Sequence, residues 1–183
     1  MRLLYTIAVI ALFSCQTNTK SSTKEADEKS IDSISLRNDV IEKELDTVVA
    51  KNWLTKSILD FFDGTNSDMQ KITTPQYYEF KMDAMNVDLE TEGSLSAVEF
   101  RNKWQDKYDL NIHPTQTGFL ISGQDWGTIK IGHISVKNVN NSYKSITFST
   151  LIRDKELEID YNRDIIVVEN ESKYLIADVL EYD

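Results

Sequence analysis

The chain has 183 residues, 40% of them apolar and 27% charged, enough for one domain with its own core plus a polar extension. A formal charge of −10 repels phosphate backbones and anionic lipid surfaces and argues against nucleic-acid binding. The single cysteine excludes an internal disulfide, and the residue patterns call for no metal and no cofactor.

The first predicted element is an export signal. Arg2 supplies a positive charge, and the uncharged run Leu3 to Phe13 would reach only about 16 Å as a helix, against a hydrocarbon core about 30 Å thick. Leu12-Phe13-Ser14-Cys15 then resembles the lipobox of bacterial lipoproteins, where a small residue precedes the cysteine that takes a diacylglycerol on sulfur. Phe13 is bulkier than the residue most lipoboxes carry there. The resemblance implies that residues 1–14 are a cleaved signal peptide and that Cys15 is lipidated, with acyl chains of the palmitate type as a stable membrane anchor. Gln16 to Ser30 holds one Ala among polar and charged residues, so residues 15–32 read as a lipidated, disordered tether able to span about 20 Å. Some outer-face lipoproteins carry acids directly behind the cysteine. Here Glu25, Asp27 and Glu28 come later, so an anchor in the outer membrane leaves the periplasmic and the surface side both open.

Residues 33–183 read as a single α+β domain. From Ile31 to Phe62 the apolar residues Ile41, Leu45, Val48, Val49, Leu54, Ile58, Phe61 and Phe62 recur at three and four, which predicts helix up to Asp63-Gly64. A second helix starts with Thr74 as N-cap and Pro75 in its first turn, and carries Tyr77, Tyr78 and Met82. A third opens on Ser96 with Glu99 completing a capping box, and its stripe Phe100, Trp104, Tyr108 is expected to cover the sheet that follows.

After Asn111 the period changes to that of strands. Six are predicted: Gly118 to Ser122, Thr128 to Val136, Tyr143 to Arg153, Glu156 to Tyr161, Asp164 to Glu169 and Lys173 to Tyr182. In the second, Ile129 and Ile131 share one face while Ile134 and Val136 fall on the other parity, a phase slip that predicts a bulge at Gly132-His133. Helices followed by such strands give an α+β domain with the helices packed on a curved, mainly antiparallel sheet.

That order resembles the cone-shaped superfamily named for nuclear transport factor two. Trp53-Leu54, Thr74-Pro75, Phe100 to Trp104, Tyr108-Asp109 and the ending Tyr174 to Val179 are similar to a family of bacterial lipoproteins of unknown function within it. The resemblance covers about residues 45 to 183. It implies a pocket between sheet and helices and brings no catalytic residues, because one cone hosts different chemistries or none.

Signatures of nucleophilic, zinc and phosphate chemistry are absent from the sequence. Four residues remain as candidate pocket or ligand contacts. Asp125 and Trp126 lie between two glycines at a strand connection, where Trp supplies area and Asp direction. A bulge would aim His133 into a cavity. Asp178 alternates with Tyr174, Ile176 and Leu180, which points it inward as a candidate base or pairs it with a Lys or Arg. His113 reads as a loop residue. Asp154, Glu156, Glu158 and Asp160 recur at every second position, a solvated acidic strand face with Leu157 and Ile159 buried behind it.

The expected function is a non-catalytic module, lipid-anchored in the cell envelope, that binds a small molecule or a protein, an immunity or inhibitor type among the forms it could take. The rival expectation is a small pocket enzyme, of hydrolase, isomerase or dehydratase type, using Asp125, His133 or Asp178 as acid or base. An enzyme needs at least two of these groups to converge in one apolar cavity.

Overall fold

The computed structural model describes residues 45–182. The signal peptide, Cys15, the tether and the helical period before Leu45 lie outside them.

Helix α1 (Thr47–Phe62) starts where the Asp46 carboxylate accepts from the amides of Val48 and Val49. It ends at Asp63, and Gly64 follows with φ +82°, a left-handed conformation that suits glycine past a helix end. Its buried stripe is Ala50, Leu54 and Ile58. Val48 and Val49, expected on that stripe, are exposed instead. A single 3-10 turn (Met69–Lys71), capped by Asp68, leads to α2 (Pro75–Met85), with Thr74 as N-cap and Pro75 at its start. Helix α3 (Ala97–Trp104) opens with the predicted capping box: Glu99 N–H bonds to Ser96 Oγ, and Ser96 N–H to the Glu99 carboxylate.

The sheet is an antiparallel meander in the order β1 (Ile129–Asn140), β2 (Ser145–Asp154), β3 (Ile159–Asn170), β4 (Lys173–Glu181). Along β2 every second residue, Ile146, Phe148, Thr150 and Ile152, is buried, while the residues between stay partly exposed, so one face carries the core. Helix α1 packs against β1 and α2 against β4. The described residues thus form an α+β domain of three helices on a four-stranded antiparallel sheet.

Several strand expectations change. Gly118 to Ser122 is no strand: the chain turns there, Leu120 has φ +69°, and a Cβ on Gly118 would meet the Gly123 carbonyl oxygen at 2.4 Å. The strands predicted from Glu156 and from Asp164 become one, β3, which starts only at Ile159 after a turn over 155–158, because Asn162 and Arg163 stay in register with Leu151 and Thr150. The bulge in β1 falls at Gly132 as the phase slip requires, and a second register shift follows between Val136 and Asn138. The β4 edge is covered: Ile176 exchanges hydrogen bonds with Ile72 and Thr74, and the Glu181 amide donates to the Ile112 carbonyl.

The acidic row is not a strand face. Asp154 ends β2 fully buried and accepts from the amides of Gly127 (2.7 Å), Glu156 (2.9 Å) and Leu157 (3.0 Å), so it organises the β2–β3 turn. The Leu157 and Gly127 amides hold its carboxyl below the ordinary range. Asp160 pairs with Arg153 across the hairpin. Leu157 and Ile159, expected to be buried, are 51% and 41% exposed: Leu157 lies in the turn, and Ile159 is the first residue of β3, at the open end of the sheet.

The aromatic stripe is buried, yet on a different partner from the one expected. Phe100, Trp104 and Tyr108 surround Phe80 of α2, with ring centroids at 5.7, 5.4 and 4.0 Å. Tyr108 lies beyond the end of α3 and stacks on Phe80 from the following turn.

Candidate functional site

Helix α2 has two apolar stripes. Tyr77, Phe80 and Ala84 face the core, whereas Tyr78, Met82 and Met85, at i, i+4 and i+7, form a second stripe that is only partly buried. That stripe floors a cleft of about 520 Å³, within the range of small-molecule sites. The walls are Phe61 and Met69 on one side and Phe119, Ile121 and Trp126 on the other. The second wall belongs to the long connection from α3 to β1, which carries no helix or strand and holds Gln116 and Leu120 at positive φ. Non-glycine residues in that conformation are costly and concentrate at binding sites. Aromatic contacts brace the cleft: Phe61 meets Phe119 edge-on at 5.0 Å, and Trp126 meets Phe62 at 5.3 Å while its indole N–H donates to the Phe62 carbonyl at 3.2 Å.

Behind the cleft lies a buried row of polar groups. Thr150, Arg163 and Glu181 are cross-strand neighbours on β2, β3 and β4. Lys81 of α2 reaches the row, with Nζ 2.7 Å from Glu181 Oε1 and 3.1 Å from Thr117 Oγ1, the latter a cleft-lining residue. The Arg163 guanidinium stands 3.6 Å from Glu181 Oε2 and donates to the Leu120 carbonyl at 3.1 Å and to Ser122 Oγ at 2.9 Å, so it fastens the strained wall to the sheet. Every member is 5% exposed or less. Burial lowers the Lys81 pKa against the opposing pull of Glu181. Burial, with the nearby charges of Asp178 and Glu181, pushes the Tyr77 phenol well above its ordinary value. Among the described residues Tyr77 Oη, Thr150 Oγ1 and Glu181 Oε2 find no hydrogen-bond partner.

The four residues singled out in the sequence are dispersed. Trp126 lines the cleft and is 42% exposed. Asp125 beside it is exposed and does not line it. His133 is exposed on β1: it pairs with Leu151, which occupies the partly exposed positions of β2, so the bulge turns it to solvent and away from any cavity. Among the described residues Asp178 pairs with neither Lys nor Arg. A register shift in β4 breaks its alternation with Ile176, and its Oδ1 accepts from His113 Nε2 at 2.7 Å and from the Val179 amide at 2.8 Å.

His113 is therefore more than a loop residue. It is 4% exposed and its Nδ1 lies 2.6 Å from the Asp109 carbonyl oxygen. Both ring partners are acceptors, so both nitrogens donate and the imidazolium is favoured. Burial alone would lower its pKa, but the Asp178 bond and charge, with the Asp109 carbonyl, raise it above the ordinary 6.5. A raised folded-state value means stability that is fully present below about pH 6.5 and lost as pH rises through the folded pKa. His113→Gln is expected to cost about 1.5–3 kcal/mol at pH 5.5, as for a bond to a charged group, and clearly less at pH 8.5. Urea unfolding at the two pH values checks this, and an equal or larger loss at pH 8.5 contradicts it. The same Asp178 charge, added to burial, lifts the Tyr108 phenol to about 12.

Among the described residues no three His, Cys, Asp or Glu side chains gather as a metal ion would require, and no helix is long and apolar enough to cross a membrane. Comparison with protein-family models, with curated proteins and with solved structures gives no match.

Proposed function

We propose that this chain is a lipid-anchored cell-envelope protein, held in the outer membrane through Cys15, whose folded domain is a non-catalytic binding module for a small apolar molecule. The cleft carries this reading: a second apolar stripe on α2, packed in part against the core and walled by aromatic side chains, is left open along the cleft. Helices that precede an antiparallel meander are a general α+β arrangement, and a cone-shaped domain with its pocket between sheet and helices is part of this proposal. The enzyme alternative has less support, since Asp125 and His133 are exposed apart from the cleft and Asp178 is tied to His113.

One experiment reads both halves of the proposal. Wild type, Cys15→Ala and Met82→Glu are expressed in a lipoprotein-exporting bacterium, fractionated, and analysed by mass spectrometry for small molecules that co-purify. Wild type is expected in the membrane fraction with a bound apolar molecule. Cys15→Ala is expected in the soluble fraction with the same molecule, and Met82→Glu in the membrane fraction without it. Cys15→Ala remaining in the membrane refutes the anchor, and a molecule retained by Met82→Glu refutes the cleft.

A further inference from the structure

The polar rim of the cleft presents acceptors to a ligand. The Asn86 amide nitrogen donates to the Met82 carbonyl at 2.7 Å, and the Gln116 amide nitrogen to the Val87 carbonyl at 2.9 Å. A carbonyl only accepts, so each amide must turn its nitrogen to that partner, which fixes the orientation of both groups. Their oxygens are left without a protein donor among the described residues. The Thr117 hydroxyl donates to the Pro114 carbonyl at 3.1 Å, and the Trp126 indole N–H is held by Phe62. The Ser67 hydroxyl and the Gln124 amide line the cleft as well, so the neutral rim offers these acceptors beside some donors.

Charge distinguishes the ligands. Among the described residues that line the cleft, Asp68 is the one charged side chain, and no Lys, Arg or His joins it. Its Oδ1 accepts from the Gln70 amide at 3.0 Å, and its Oδ2 stands 3.4 Å from the exposed Lys71 ammonium, a surface pair of the kind that contributes little. A ligand carboxylate or phosphate would enter an apolar cleft with no cation to meet it, beside a carboxylate, in a chain of net charge −10. A protonated amine would find the Asp68 carboxylate, free amide oxygens, and the aromatic side chains Trp126, Phe61 and Tyr78.

We propose that the cleft binds an apolar molecule ending in an ammonium group, with Asp68 as its counter-charge. This rests on the cleft being the binding site. 4-Phenylbutylamine, 4-phenylbutanol and 5-phenylpentanoate share a phenyl ring on four methylenes and differ only in the head, which is ammonium, hydroxyl or carboxylate at neutral pH. Each is titrated into the full-length chain in lipid nanodiscs, with the methyl resonances of Met69, Met82 and Met85 reporting where the probe sits. The amine is expected to bind at least about tenfold tighter than the carboxylate, with the alcohol between them. Asp68→Asn, which keeps an N-cap acceptor for Gln70, should weaken the amine by about threefold or more and leave the alcohol unchanged. If the carboxylate shifts the methionine methyls and binds as tightly as the amine, the ammonium class is wrong and the cleft reading stands. If Asp68→Asn leaves the amine preference intact, the counter-charge assignment falls. If none of the three probes moves a methionine methyl, the cleft itself is not the site and both readings fail.

Discussion

Lys81→Met is expected to destabilise the fold by about 3–5 kcal/mol, the loss typical when one partner of a buried ion pair is removed. Lys81 and Glu181 are 3% and 2% exposed at their side chains and 2.7 Å apart. Methionine replaces the apolar stem of lysine closely, so little of the loss comes from packing. What remains is a carboxylate in the core whose other oxygen has no hydrogen bond and whose nearest further cation, Arg163, is 3.6 Å away. Thr117 loses its donor as well, which loosens the wall of the cleft formed by the α3–β1 connection. The pair is not thereby a large net source of stability, because desolvating two charges offsets most of their attraction. Lys81→Met/Glu181→Gln, which removes both charges and leaves Arg163 an amide acceptor, should recover a substantial part of the loss. Urea denaturation of the single and double variants gives the coupling energy. A single variant costing under about 1 kcal/mol, or a double variant as poor as the sum of the singles, contradicts the assignment.

What could be read from the sequence was what is decided locally. Thr74-Pro75, the box from Ser96 to Glu99 and the Asp63-Gly64 stop use groups within a few residues of one another, and all three stand where they were expected. The β1 bulge was legible because Ile131 and Ile134 change parity around Gly132. The β4 register shift beside Asp178 was not, because Leu175, Ile176, Val179 and Leu180 are apolar on both parities and no slip shows. Asp154 reads as one of four alternating acids, and only the tertiary fold brings it the Gly127 amide from another segment. His113 owes its burial to an acid 65 positions away, beyond any local pattern. The cleft had a sequence signal that went unread: Tyr78, Met82 and Met85 repeat at helical spacing beside the core stripe Tyr77, Phe80, Ala84, and a helix apolar on two faces must hide or use the second. Of the glycine-flanked pair Asp125-Trp126, the indole lines the cleft and Asp125 does not.

Trp104→Ala is expected to cost about 3–5 kcal/mol, the range for truncating a buried large aromatic, out of the roughly 5–15 kcal/mol that holds a domain together. The indole is 1% exposed and meets Phe80 at 5.4 Å and Tyr108 at 5.8 Å. Its Nε1 donates to Asp83 at 2.8 Å, and the same carboxylate oxygen accepts from Lys103 at 2.8 Å. Two lysines, Lys103 and Lys107, lie 4.9 Å from the ring centroid. Alanine would therefore open a cavity between α2 and α3, remove a donor from Asp83 and uncover Phe80, whose ring joins the stripe to Tyr77 and the rest of the core. Trp126→Ala removes a side chain that is 42% exposed and has one long hydrogen bond, so its effect on stability should be much smaller. Its effect on the cleft should not be small, since Trp126 forms part of the wall. Thermal unfolding of the two variants is expected to show a large fall in Tm for Trp104→Ala and a slight one for Trp126→Ala, with probe binding weakened only in the latter once Trp104→Ala is assayed below its own transition. Equal, small losses of Tm would remove Trp104 from the core, and unchanged binding in Trp126→Ala would remove the indole from the wall of the site.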